Sequence, residues 1–258
     1  MDLGISGKQA LVCASSKGLG LGVAVALANA GVNLTLCARN EAPLKEAAKK
    51  ITKIGVQATI VVCDITTENG VELVLKKMPH PDILINNAGG PPPGSWENWT
   101  NEDFLGAIQS NMLTPINLMQ RVLPSMIKNR WGRIVNITSG AVKAPIPALG
   151  LSNTARAGLT GFVAGVSRQV AKYGICINNA LPGVHDTDRI QGFDETMAKS
   201  LNISIEEARQ KKVLSIPVGR YGDAESFGNT CAFLCSQHAS FIIGQNIVID
   251  GGAINATI

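Results

Sequence analysis

The sequence predicts a doubly wound α/β fold: a seven-stranded parallel sheet with helices on both faces, in a single domain over residues 1–258. Three observations predict it. Seven short β-rich runs recur along the chain, continuously apolar rather than alternating, as in strands covered on both faces. Helical segments separate many of these runs, which implies right-handed crossovers and a parallel sheet. A glycine-rich turn follows the first run, where sheets of this kind seat a phosphate.

The elements follow in order. KQALVCA (8–14) is the first strand and leads through CASSKGLGLG into a helix over 18–30. VNLTLCA (32–38) precedes a helix over 41–54, and VQATIVVC (56–63) precedes one over 67–78. DILINNAG (82–89), GRIVNITS (132–139), GICINNAL (174–181) and NIVIDGG (246–252) supply the remaining strands. A polar, helix-prone insert at 188–215 interrupts the rhythm. In open sheets, ligands bind beyond the carboxyl ends of the strands, so the functional residues are sought there.

Composition narrows the function. With 45% hydrophobic and 16% charged residues, the chain builds one large packed core. A net charge of +4, with no basic run longer than two lysines, argues against a nucleic-acid partner. MDLGISGKQALV has no basic segment followed by a long apolar one, and no apolar run reaches the ~18 residues of a membrane helix. A cytoplasmic protein without a membrane partner is expected. The six cysteines form no CxxC pair; they read as packed thiols, Cys231 and Cys235 included, and no metal is expected.

In the first turn, Gly18, Leu19 and Gly20 open a helix whose backbone amides can approach a pyrophosphate. Ser15 and Ser16 offer hydroxyls and Lys17 a cation. The second strand ends LCARN, without the acidic residue that would bind a ribose 2′-hydroxyl. Arg39 there, with Lys17, is expected to converge on a 2′-phosphate, so NADP(H) is favoured over NAD(H).

With CASSKGLG, CDIT (63–66), NNAG (86–89), SNM (110–112), IVNITS (134–139), LPGVHDT (181–187) and GQNIVIDGG (244–252), the chain resembles the short-chain dehydrogenase/reductases from about residue 5 to 252. It is most similar to their 3-oxoacyl-acyl-carrier-protein reductase type. The resemblance implies a Rossmann fold and an NADP(H)-dependent carbonyl reductase, or the reverse alcohol dehydrogenase. It also implies a substrate lid at 188–215 and a homotetramer or homodimer built on two long helices at about 101–129 and 152–172. Asp64 and Ile65 would then hold the adenine, and Asn86, Asn87, Ala88 and Gly89 would line the cofactor and brace the central strand. Asn111 would kink its helix and hold a relay water, and Ser139 would hydrogen-bond the substrate carbonyl. Pro182, Gly183 and Thr187 would seat the nicotinamide carboxamide. Ala14 stands where the family has its first loop glycine, which costs on the order of 1 kcal/mol if φ there is positive.

One departure bears on the chemistry. The family's Tyr-x-x-x-Lys pair falls, by spacing from Ser139, on Ser152 and Arg156; Tyr173 and Tyr221 lie in other segments. A serine is a much weaker acid than a tyrosine, and arginine does not carry protons. Arg156 is the candidate contact to the nicotinamide ribose. His185 is the candidate replacement acid, with Asp186 and Asp188 expected to raise its pKa. Trp96 and Trp99, in GGPPPGSWENW, either stack on a substrate or pack on the following helix. Two other readings stay open: a cofactor-binding sensor or scaffold with little turnover, and non-redox chemistry in the same pocket.

Overall fold

In the computed structural model, which describes residues 1–256, seven strands form one sheet: β1 (Gln9–Val12), β2 (Asn33–Ala38), β3 (Ala58–Val62), β4 (Ile83–Asn86), β5 (Gly132–Ile137), β6 (Ile175–Pro182) and β7 (Asn246–Ile249). Their order is β3-β2-β1-β4-β5-β6-β7 and every pairing is parallel. The winding direction reverses between β1 and β4. The chain is thus one doubly wound domain, and its ligand crevice opens above that reversal.

The first three helices are α1 (Gly18–Asn29), α2 (Glu41–Thr52) and α3 (Glu68–Lys77), followed by α4 (Asn101–Ile108), α5 (Thr114–Asn129) and α6 (Gly150–Val170). Beyond β6 come α7 (Asp188–Leu201), α8 (Ile205–Val213) and α9 (Ala224–Leu234). Leu27 of α1, Leu44 of α2 and Phe227 of α9 cover one face of the sheet, while Val74 of α3, Leu118 of α5 and Val163 of α6 cover the other. Both faces are therefore dry, which explains strands without polar alternation. All six thiols are free, and Cys231 and Cys235 lie in the first of these cores, as packing residues.

Side-chain caps fix where several helices begin. Thr100 and Asp103 form a reciprocal capping box for α4, Ser204 and Glu207 do the same for α8, and Asp223 caps α9. The helix expected over 101–129 is interrupted: residues Gln109–Leu113 form a π turn between α4 and α5. The insert at 188–215 folds as α7 and α8. Among the described residues, no helix is long and apolar enough to cross a membrane.

Candidate active site

The crevice begins at the turn after β1. Ala14 there has φ 45°, the left-handed region, so the methyl carries the strain a glycine would avoid. The turn is tight because Gly20 lies against it: a Cβ on Gly20 would sit 2.4 Å from the Ala14 carbonyl oxygen. Asn87 Nδ2 donates to that same oxygen at 3.3 Å, tying the end of β4 to the turn. Across the crevice a Cβ on Gly18 would meet the Thr187 methyl at 3.6 Å, so the gap is bounded by Gly18 on one side and Thr187 on the other. This narrow, glycine-lined gap at the start of α1 suits a pyrophosphate.

The polar residues of the turn divide their tasks. Ser15 is fully buried and donates its hydroxyl to Val12 O at 2.9 Å, so it braces the turn from within. Ser16 has no side-chain partner among the described residues. Arg39 is exposed, and its charge helps lower the Asp64 pKa, after the two hydrogen bonds from Thr66 that dominate. The expected convergence of Lys17 with Arg39 is not what the structure holds: Lys17 Nζ pairs with Asp188 of α7 at 2.5 Å. The carboxylate at the start of α7 faces the turn and captures the lysine.

The site's centre is built from four elements. Ser139 follows β5 and caps a short 3-10 turn, its Oγ accepting from Ala141 N at 3.1 Å. Ser152 and Arg156 lie one turn apart near the start of α6, both buried. Arg156 Nε donates to Ser152 Oγ at 3.2 Å and Nη1 donates to Ile137 O at 2.9 Å. Burial, and then the charge of Arg189, lower the Arg156 pKa to about 10, so it stays a cation at neutral pH. Asn111 sits in the π turn, its amide donating to Ser110 Oγ at 2.7 Å and to Gly89 O at 3.4 Å. The extra backbone residue of that turn is the kink expected of Asn111.

Beneath these residues runs a feature that sequence reasoning missed. Asn86, Asn136, Asn179 and Asn246 stand side by side on β4, β5, β6 and β7. Each amide donates to the next side-chain oxygen, at 2.8, 3.0 and 2.8 Å. The ladder ties β4, β5, β6 and β7 together through their side chains. At its end, Asn86 Oδ1 has no partner, nor has Asn111 Oδ1. Both residues line a half-open cavity of about 20 Å³, with Ile65, Ser110, Thr114 and Arg156 also in its wall. That is room for one water beside two acceptors and a guanidinium. The signal in sequence was an Asn recurring in the last four strand runs, as in LINN, IVNI, INNA and QNIV.

His185 does not join this group. It is buried, packs edge-on against Phe227 at 5.2 Å, and places Nδ1 3.3 Å from Gly183 O. Burial lowers its pKa, contrary to the expected rise; the Gly183 carbonyl and Asp223 offset this only in part. Asp186 is engaged by Arg209, at 3.1 and 2.6 Å, and Asp188 by Lys17, so neither raises it. Tyr221 offers no substitute: its hydroxyl donates to buried Asp194 at 3.1 Å, and burial followed by that contact raises its pKa.

The mouth is framed by the loop after β4 and by α7. Trp99 stacks edge-on with Phe104 of α4 and lies against Gly150, so it packs on the helices, while Trp96 stays exposed. Pro182 ends β6, and Gly183 N donates to Ile249 O at 2.9 Å, which fixes the segment leading to Thr187. Ala88 and Gly89 continue β4 into the mouth.

Comparison with known proteins agrees with this geometry. A family model described as enoyl-(acyl carrier protein) reductase matches residues 13–254. A 3-oxoacyl-[acyl-carrier-protein] reductase of Aquifex aeolicus is 33% identical, covering 98% of this chain and 99% of its own. The NADPH-dependent reductase BacG of Bacillus subtilis is 30% identical, covering 98% and 100%. Among solved structures, L-sorbose reductase from Gluconobacter frateurii complexed with NADPH and L-sorbose superposes with a TM-score of 0.94 at 28% identity, over 99% of this chain and 100% of that one. An actinorhodin polyketide ketoreductase with NADPH gives 0.91 at 28% identity, over 96% and 98%.

Proposed function

Because the chain belongs to the short-chain dehydrogenase/reductase family, we propose that it is an NADP(H)-dependent oxidoreductase that reduces a carbonyl to an alcohol with a serine–arginine pair in place of tyrosine and lysine. The observation that carries this reading is a pair of hydroxyls, Ser139 after β5 and Ser152 at the start of α6, each accepting a hydrogen bond. Ser139 Oγ accepts from Ala141 N, and Ser152 Oγ accepts from the Arg156 guanidinium. The proton of each hydroxyl is thereby left for the substrate oxygen.

When bound, NADPH supplies the hydride. The cradle suits it: Gly18 and Gly20 at the helix start, Thr187 opposite, Asp64 and Ile65 on the adenine side, and exposed Arg39 for a 2′-phosphate. Asn87, Ala88, Gly89, Pro182 and Gly183 are assigned to the nicotinamide half. Negative charge builds on the substrate oxygen as the carbonyl is reduced, and prealigned donors act where it develops. Ser139 and Ser152 hold that oxygen, and Arg156 supports the charge through Ser152 from a buried position, where its field is little screened. Asn111 and Asn86 hold a water beside Arg156, and the product alkoxide takes its proton from the Ser152 hydroxyl, which is restored from solvent. Arg156 acts here through Ser152, with Nε on Ser152 Oγ and Nη1 on Ile137 O.

The substrate is of the small-carbonyl or 3-oxoacyl kind, with α7 and α8 as its lid. Exposed Leu105 and Leu113, beside the π turn, support a homotetramer or homodimer built on α4, α5 and α6. The test is NADPH consumption against a carbonyl panel. Saturable oxidation abolished by Ser139→Ala supports the reading; NADPH binding without turnover, or substrate turnover without NADPH consumption, contradicts it.

A further inference from the structure

Around the lid, four acids each hold a base. Asp186 takes Arg209, Asp188 takes Lys17, Asp194 takes Lys212 and Asp223 takes Arg220. Among the described residues, neither Arg156 nor Arg189 has a carboxylate within ion-pair distance.

Arg189 occupies the first turn of α7, where the helix dipole is itself positive. Its guanidinium crosses the mouth to the carbonyls of Gly90 and Pro91, at 2.7 and 3.1 Å. The guanidinium lies close over Gly90, where a Cβ would come 2.7 Å from Nη2. The Phe193 ring lies 5.3 Å from the guanidinium carbon and steadies the plane. Two carbonyl bonds use two of five N–H donors and leave the rest for a ligand.

Below it, Arg156 is sealed in with one hydroxyl and one carbonyl for its own five donors. Arg133 shows what a purely structural buried arginine looks like in this chain. Its guanidinium donates to the carbonyls of Gly132, Gly174 and Ser236 and lies over Trp131. The Arg156–Arg189 pair is not closed in that way. The charge of Arg189 reaches buried Arg156, and a mouth with this excess of positive charge favours an anion.

We propose that the carbonyl substrate carries a negatively charged group, a carboxylate or a phosphate, and that Arg189 is the residue that binds it. This rests on the reductase reading of the crevice and names its substrate class. The acid group meets the guanidinium beside Gly90, one residue beyond the cofactor-lining Gly89, while the carbonyl reaches Ser139 and Ser152. Asp186 and Asp188 do not compete for Arg189, since each already holds a cation.

The test is calorimetric titration of the protein saturated with NADP⁺. The probes are oxo acids with the ketone at C2, C3 or C4, each against its methyl ester, and dihydroxyacetone phosphate against dihydroxyacetone. At least one charged probe should bind tenfold or more tightly than its neutral partner. Arg189→Gln should bring the two together, Arg189→Lys should keep part of the difference, and NADPH affinity should move less than twofold. Equal binding of every pair, or a preference that survives Arg189→Gln, overturns the proposal. A loss of NADPH affinity on Arg189→Gln as large as the loss for the charged probe also overturns it, assigning the guanidinium to the coenzyme pyrophosphate. Failure to take up NADPH would contradict the reductase reading instead; the same pairs titrated without coenzyme still decide whether Arg189 reads an anion.

Discussion

Arg156 Nε donates to Ser152 Oγ across 3.2 Å, one turn away on the same face of α6. The hydrogen bond has a direction: the cation donates, so the serine proton is free to point into the crevice. A serine without that neighbour would be a weak, freely rotating donor. Held by a buried guanidinium, it is oriented and its developing charge is supported. Ser152→Ala should therefore lower kcat by on the order of 10²-fold, the usual cost of one oxyanion donor, with the Kd for NADPH changed less than twofold. Steady-state kinetics beside a fluorescence titration of NADPH checks this.

The same bond sets a pH dependence. Burial and Arg189 hold the Arg156 pKa at about 10, so the cation persists through neutrality and is lost above that value. Carbonyl reduction should be insensitive to Arg156 ionisation from pH 7 to 9 and fall as pH rises through about 10. Arg156→Leu should be slow throughout and show no such fall. Rate profiles at saturating NADPH distinguish the two.

His185 should matter for stability rather than for turnover. Its folded pKa lies below the ordinary imidazole value of 6.5 because of burial, so the unfolded chain takes up the proton first. The stability contributed by the neutral imidazole is complete above pH 6.5 and is lost as pH falls toward the lower folded value. The Tm of the native protein should drop more steeply between pH 7 and 5 than that of His185→Gln. The variant should keep its kcat within about threefold, since the ring faces Phe227 rather than the crevice.

Coenzyme choice should rest on Arg39. Charge-assisted hydrogen bonds contribute about 1.5–3 kcal/mol, so Arg39→Ala should weaken NADPH by roughly 10–100-fold and leave NADH unchanged. Lys17→Ala should weaken NADPH less, because Asp188 already holds that ammonium. Parallel titrations with both coenzymes measure the difference.

Ala14 carries a separate prediction. With φ 45°, Ala14→Gly removes backbone strain but adds freedom to the unfolded chain, so stability should rise by no more than about 1 kcal/mol. Ala14→Val, β-branched at the same φ, should lose more than that. Urea unfolding with an unchanged m-value reads both.

Much of the frame was legible before the coordinates. The seven apolar runs fall on β1 through β7, and the glycine turn falls at the start of α1, because burial on both faces writes itself directly into local composition. The π turn at Asn111 falls where the family resemblance led one to expect a kink. What could not be read was direction. Nothing local says that the Ser15 hydroxyl turns inward to Val12, that Lys17 is drawn to Asp188 from a segment 171 residues away, or that His185 faces α9. Those outcomes depend on which distant carboxylate or ring occupies the facing surface. The asparagine ladder stayed hidden for the same reason: four scattered residues become one structure only once the register of β4 to β7 is fixed.

The most direct test of the account is isotopic. The protein is given NADPH deuterated at the transferable C4 position and a carbonyl from the active panel, and the alcohol is analysed by mass spectrometry. One deuterium per molecule on the carbinol carbon, formed at a rate that falls by about 10² in Ser152→Ala, is the predicted result. Alcohol without deuterium, or deuterium transfer that Ser152→Ala leaves untouched, would contradict it.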